Sequence, residues 1–261
     1  MKSEFRKRLE AGEIVLGMNA RHSRTTEIGA LLKDCGFHWL MLDDEHTPLN
    51  PAAVYETFLG ANRIGMTTFM RVRRNDPTEI GLQMSNCPTG VFVPHVDTAE
   101  QAKSAAAASR YAPRGHLSVP GFFPQVGYRP MPFPQATEIL NAQTVVVCMI
   151  ESAEAVENAE AIAAVDGVDV LFIGASDLTY EMGIGSQYGD DRVRRAVKRV
   201  CDAARKHGKF AGMGGVKGDD LWKEYIGYGM QMIMTESDLA MLVTRAIERV
   251  GYFETLAKAA R

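Results

Sequence analysis

Residues 145–177 read VVVCMIESAEAVENAEAIAAVDGVDVLFIGASD, and this stretch decides the fold. Val145–Ile150 is an unbroken apolar run. Continuous rather than alternating hydrophobicity marks a parallel strand covered on both faces. Ser152 then opens a helical segment, and Glu154 in its first turn suits the helix dipole. Val170–Ile173 is a second apolar run, which Gly174-Ala175-Ser176-Asp177 turns into the next helix. Strand, helix and strand at this spacing form a parallel βα unit.

The same alternation extends in both directions. Strands are predicted over Ile14–Met18, Trp39–Asp43, Thr67–Val72, Gly90–Pro94, Phe210–Met213 and Met230–Met234. Helices are predicted over Thr25–Cys35, Asn50–Ile64, Thr98–Arg110, Asp190–His207 and Asp219–Gly229. Thr98 and Gln101 have the spacing of a capping box. Eight βα pairs in 261 residues predict an α/β chain folded as a (β/α)8 TIM barrel. No linker-like break divides it, so 1–261 is read as one domain. Residues 237–261 form a C-terminal extension of one or two amphipathic helices, suited to cover the barrel or to exchange with a partner. One stretch breaks the alternation: residues 112–135, APRGHLSVPGFFPQVGYRPMPFPQ. A loop this long in a compact domain is either functional or disordered, and its aromatics argue against disorder.

Composition excludes several classes. The net charge of −3, with 23% charged residues, gives no electrostatic case for nucleic acid or an anionic membrane. No run of 18 apolar residues exists to cross a bilayer. The polar start has no apolar signal core, so a cytoplasmic chain is expected. Cys35, Cys87, Cys148 and Cys201 are far apart and read as small buried hydrophobes in a reducing compartment.

In this architecture the chemistry sits at the C-terminal ends of the strands. There the second strand runs into Asp43-Asp44-Glu45-His46 and the third into Arg71, with Arg73 and Arg74 close by. The fifth runs into Glu151 and the sixth into Gly174-Ala175-Ser176-Asp177. Glu151 and Asp177 follow neighbouring strands and offer hard oxygen donors to one divalent cation; the plain alternative is that each caps a helix. The Gly174–Asp177 turn offers backbone N–H groups to a carboxylate, or is simply a tight turn. His46, beside three acids, suits proton transfer near neutral pH. His22 and His116 are expected near the mouth, His38 at the opposite face and His207 at a helix end; His95 is undecided. DDRVRRAVKRV (190–200) reads as a solvated helix face.

Four segments, in order and at the right spacing, resemble the HpcH/HpaI aldolase family of the phosphoenolpyruvate/pyruvate superfamily. GFHWLMLDDEHTPLN is similar to the family's GFDWL-x-IDGEH, and FMRVRRNDP to VRVPWNDP. VFVPHVDTAEQAKSAAAASRYAP is similar to its segment ending in RYPP. CMIESAEAVENAEAIAAVDGVDVLFIGASDL resembles QIET…VEGVDGVFIGPADL. The resemblance implies a metal-dependent (class II) aldolase acting on a 2-oxo acid and an aldehyde through a pyruvate enolate. Glu151 and Asp177 then match the ligands of Mg2+, Mn2+ or Co2+. His46 matches the acid/base, and Arg71 the arginine that holds the keto oxygen. Gly174, Ala175 and Ser176 match the turn that holds the substrate carboxylate. Asp43 and Glu45 match acids that order metal-bound water. A homo-oligomer is implied as well, a hexamer built as a trimer of dimers with exchanged C-terminal helices. No lysine ends a strand, and Lys217 alone is near, so a Schiff-base route is not expected.

The departures from the family pattern are specific. Ser85 stands where the family has an Asp that partners the catalytic His. Met149 replaces a Gln, Asp44 a Gly and Ala175 a Pro. Leu117-Ser118 replaces Arg-Gly, and an aromatic stretch replaces an arginine-rich one. Leu117, Phe122, Phe123 and Tyr128 are therefore expected to form an apolar specificity loop on the aldehyde side. The groups that hold an enolate are kept, while those around the acid/base and the electrophile are changed. Two alternatives follow: an oxaloacetate decarboxylase or another enolate-forming enzyme like macrophomate synthase, and a catalytically reduced, carboxylate-binding barrel.

Overall fold

The eight apolar runs pair edge to edge, all parallel, and close into a barrel in sequence order. A computed structural model describes residues 3–260; Met1, Lys2 and Arg261, the outermost residues of the 1–261 and 237–261 readings, lie outside them. The elements are α1 (Glu4–Glu10), β1 (Val15–Ala20), α2 (Ile28–Asp34), β2 (Trp39–Asp43), α3 (Pro51–Arg63), β3 (Thr67–Arg71), α4 (Pro77–Met84) and β4 (Gly90–Val93). They continue as α5 (Ala99–Ala108), α6 (Phe133–Gln143), β5 (Val145–Ile150), α7 (Ala153–Glu157), α8 (Ala159–Ala163), β6 (Val170–Gly174) and α9 (Ala175–Glu181). The last are α10 (Asp191–Lys206), β7 (Phe210–Gly214), α11 (Asp219–Tyr228), β8 (Met230–Ser237) and α12 (Asp238–Ala259).

Side chains alternate across each strand. Val15, Trp39, Met41, Phe69, Phe92, Val145, Val147, Met149, Val170 and Phe172 fill the barrel interior, and Phe5 and Leu9 of α1 plug its base. Their neighbours Leu40, Leu42, Met70, Val91, Val146, Cys148 and Leu171 face the helical layer. Rings from β2, β3, β4 and β6 form the interior's spine: Trp39–Phe69 at 5.7 Å, Phe69–Phe92 at 5.3 Å and, across the barrel past β5, Phe92–Phe172 at 4.9 Å between centroids. Gly17 makes room for this, because a Cβ there would lie 2.0 Å from the Trp39 ring.

This alternation carries straight into the site. Extending each inward set to the strand's C-terminal end delivers Asn19, Asp43, Arg71, Glu151 and Gly174 to the inside of the mouth. The outward set on β2 delivers Asp44 to the helical layer.

The topology also fixes which connections lie where. A βα connection opens at the mouth, and an αβ connection runs along the base. The segment after α5 is an αβ connection, and it lies at the base. Leu117 and Gln125 line a cavity of about 280 Å³ there, with Thr67, Thr89 and Thr144 at the starts of three strands. Phe123 packs on Tyr111 and Phe133, and the Tyr128 hydroxyl meets that of Tyr55, on α3, at 2.8 Å. The reading of Leu117, Phe122, Phe123 and Tyr128 as a loop over this chain's own mouth is therefore corrected, as is that of His116, whose N–H donates to Ala107 O in the last turn of α5. Ser85 is corrected for the same reason. It ends α4, and its hydroxyl donates to Gly81 O at 3.0 Å, so within one chain it does not reach His46.

Three further differences are local. The stretch expected to be loop through residue 135 becomes helical at Phe133, because Pro132 and Pro134 fall at and just inside a helix start, where proline is tolerated. The helix after Ser152 is broken at Asn158 into α7 and α8. Cys35 is exposed, whereas Cys87, Cys148 and Cys201 are buried as expected. The capping box at Thr98 and Gln101 is formed. His38 accepts the Leu16 N–H on Nδ1, a structural role. No helix among the described residues is long and apolar enough to cross a membrane.

Candidate active site

Arg71 is the hub of the mouth. It is 6% exposed, and Asp43 beside it is fully buried. Strand register places them side by side. Nε of Arg71 donates to Asp43 Oδ1 at 2.8 Å and Nη2 to Oδ2 at 2.6 Å, a two-pronged pairing. Nη1 reaches Glu45 Oε2 at 3.1 Å. Asn19 donates to Asp43 Oδ2 at 3.2 Å from the adjacent strand. Burial works against the Asp43 charge, but Arg71, Asn19 and the His46 N–H outweigh it and hold the carboxyl below its ordinary value.

Glu45 stands between two imidazoles. Its Oε2 is 3.7 Å from His46 Nε2, and its Oε1 is 3.5 Å from His95 Nε2. Burial raises its proton affinity, against the pull of Arg71 and the two histidines. His95 is the residue that sequence reading left undecided. Its backbone is left-handed (φ 50°), and its N–H donates to Glu151 Oε2 at 3.0 Å. A non-glycine residue in that conformation leaves no mark in the sequence.

Glu151, 2% exposed, lies at the floor of the mouth. Burial pushes its carboxyl up to about 7; the His95 N–H and ring oppose this, and Glu45 and Asp177 add to it. Its Oε1 lies 2.3 Å from where a Cβ on Gly174 would sit, so the carboxylate fits only because residue 174 has no side chain. Gly174 is the cap of α9, with no side chain of its own to satisfy the first-turn N–H groups. Ala175, Ser176 and Asp177 follow in that turn; Ala175 is buried, while Ser176 and Asp177 are exposed. Gly215 (φ 86°) packs against this turn, its would-be Cβ 3.0 Å from Ser176 Oγ.

Asp44 points outward, as the alternation requires. Arg73 pairs with it at 3.0 Å and donates a second bond at 3.2 Å, and Gln83 of α4 donates at 3.0 Å. The extra acid and the extra arginine of this sequence are thus partners. Neither Gln83 nor Asn19 was singled out beforehand. Asn19 carried a signal, as a polar residue in register with the inward set of an apolar strand.

Among the described residues no group of three or more His, Cys, Asp and Glu side chains is disposed to hold a metal ion. Two oxygen donors are on offer, from Glu151 and Asp177. This suits a hard cation that keeps most of its coordination for water and substrate.

Residues 23–243 match the family model for HpcH/HpaI aldolase/citrate lyase, and the chain belongs to that family. It is 32% identical to a 5-keto-4-deoxy-D-glucarate aldolase of Klebsiella pneumoniae, over 92% of each chain. It is 31% identical to a 4-hydroxy-4-methyl-2-oxoglutarate aldolase of Hapsidospora irregularis, over 92% of this chain and 91% of that one. The crystal structure of an HpcH/HpaI aldolase from Desulfitobacterium hafniense superposes with a TM-score of 0.89 at 23% identity, covering 95% of this chain and 96% of that one.

Proposed function

We propose that this chain is a divalent-metal-dependent carbon–carbon lyase that cleaves or forms 4-hydroxy-2-oxo acids through a pyruvate enolate. The observation that carries this reading is the convergence on one mouth of a buried carboxylate, Glu151, and a fixed guanidinium, Arg71, with His46 on the same rim. The aldolase names of relatives matched over nine-tenths of the chain support it.

The donor set fits Mg2+, Mn2+ or Co2+. Glu151 is a buried carboxylate whose proton affinity is raised partly by Glu45 and Asp177, a crowding of negative charge that a cation relieves. Glu151 and Asp177 would hold the ion, which when bound supplies Lewis-acid stabilisation of a 2-oxo acid's enolate. The protein's own groups do the rest. The first-turn N–H groups of Ala175 and Ser176 receive the substrate carboxylate. Arg71 places fixed positive charge beside the keto oxygen, where negative charge develops, and Asp43 keeps it from moving. In cleavage the C3–C4 bond breaks, its electron pair stays on the pyruvate fragment, and His46 takes the proton of the C4 hydroxyl. Glu45, against the His46 ring, supplies an orienting carboxylate from the same loop. The aromatic segment at the base does not shape the aldehyde side of this chain's mouth.

The same reading takes the chain as one barrel domain with 237–261 as an oligomerisation element, in a cytoplasmic homo-oligomer, the hexamer that the resemblance implies. All of α12 lacks a buried side chain, and Leu242, Ile247, Val250 and Phe253 are exposed along it. A second copy is the occupant this reading assigns to that face.

The test is proton–deuterium exchange at the methyl of pyruvate, followed by NMR with chelator and then with Mg2+ or Mn2+. Metal-dependent exchange that is lost in Glu151→Ala is expected. Exchange undiminished in that variant would overturn the reading. No exchange with any metal, but turnover of oxaloacetate, would move the assignment to a decarboxylase.

A further inference from the structure

The loop that carries His46, whose N–H donates to Asp43 Oδ1 at 3.3 Å, is also held from a second direction, the start of α12. Asp238, the first residue of α12, turns its side chain onto the loop that follows β1. Its Oδ1 accepts the Arg21 N–H at 2.9 Å, and its Oδ2 accepts those of His22 at 2.9 Å and Ser23 at 2.6 Å. Burial opposes the charge, but these three N–H groups outweigh it and hold the carboxyl below its ordinary value.

The captured loop in turn grips the His46 segment. Arg21 Nε donates to Thr47 Oγ1 at 3.3 Å and lies 3.5 Å from Asp43 Oδ2, and its Nη2 reaches His46 O at 3.5 Å. Arg24 donates to Arg21 O from Nε at 3.0 Å and Nη2 at 2.8 Å, and to Pro48 O from Nη1 at 2.8 Å. The chain of contacts therefore runs from the start of α12, through the backbone of 21–23 and two guanidinium groups, to the backbone of 46–48.

We propose that Asp238 is a positioning residue for the proposed lyase reaction, acting through Arg21 to hold the loop that carries His46. Because Asp238 also begins the helix with the exposed apolar face, whatever seats α12 sets the place of this carboxylate. The inference rests on the functional reading above for its kinetic consequence, but not for its structural one.

Asp238→Asn tests it, since the shape is kept while one oxygen becomes a donor facing N–H groups. The first readout, hydrogen–deuterium exchange by mass spectrometry, does not depend on the reaction. Amides of 44–50 are expected to exchange on the order of tenfold faster in the variant, together with those of 21–24, as loss of charge-assisted bonds implies. Loosening confined to 21–24 would overturn the proposal. The second readout is a double-mutant cycle on metal-dependent pyruvate exchange. Asp238→Asn and Arg21→Ala should each lower kcat on the order of tenfold with KM within about twofold, and the double variant should be no slower than Arg21→Ala alone. Effects that multiply would show that Asp238 does not act through Arg21. If the unaltered protein exchanges no pyruvate proton, the functional reading fails and the amide measurement still decides whether Asp238 holds the loop.

Discussion

Glu151→Gln is the perturbation whose consequence can be worked furthest. In the unfolded chain Glu151 loses its proton near the ordinary value of 4.5, whereas in the fold it holds the proton up to about 7. Between those values the folded state binds more protons than the unfolded one, so folding stability falls as pH rises through that window. The shift converts to about 3 kcal/mol, complete above about pH 7 and absent below about pH 4.5. Gln has no charge to desolvate and keeps a carbonyl to accept the His95 N–H. In metal-free protein, Glu151→Gln should therefore be more stable than the parent at pH 8 by up to about 3 kcal/mol relative to the difference at pH 5. The assay is urea denaturation in chelator at half-unit steps from pH 5 to 8. A difference that does not change with pH would refute the reasoning. Adding Mg2+ or Mn2+ at pH 8 should stabilise the parent, by about 2.7 kcal/mol at a hundredfold excess over Kd, and leave the variant where it was.

Two other outcomes follow from the geometry. Gly174→Ala puts a methyl group 2.3 Å from Glu151 Oε1, so one of them must move. A shift of that size should cost pyruvate exchange on the order of a hundredfold while the melting temperature changes little, and retained exchange would show that Glu151 is not held there for chemistry. Arg73→Ala leaves the 4% exposed Asp44 with Gln83 as its one side-chain partner. It should destabilise by about 1 kcal/mol, and by clearly less when Asp44 is already Gly; additive effects in urea unfolding would refute the pairing.

The barrel and most of the mouth were legible for one physical reason. A strand buried on both faces must be apolar along its length, so Asp43, Arg71 and Glu151 stand out where the runs end. The strict two-residue alternation then dictates that they face inward together, and that Asp44 does not. Arg71, the last residue of β3, is in step with the inward Phe69, whereas Arg73 lies past the end of the strand, where the alternation no longer holds, and turns out to Asp44.

What was misplaced was placed by residue type instead of by direction of travel. Ser85, His116 and the aromatic stretch follow helices and precede strands, and in a barrel of alternating elements such residues lie at the base whatever their chemistry. That signal was in the order of elements. By contrast, no pattern marks the left-handed backbone at His95, which aims an N–H at Glu151, or the reach of Asp238 back to residues 21–23. Both depend on contacts closed by the fold between distant positions. The two classes differ in consequence. A residue at a strand end meets the substrate because the strand points at it, so its role follows from the pattern. A residue such as Asp238 has a role only through what it holds, and the sequence carries the donor loop and the acceptor carboxylate more than two hundred positions apart with nothing to join them. Positioning groups of this kind are found from the hydrogen bonds, and their effect on the chemistry is carried by the loop between them and His46.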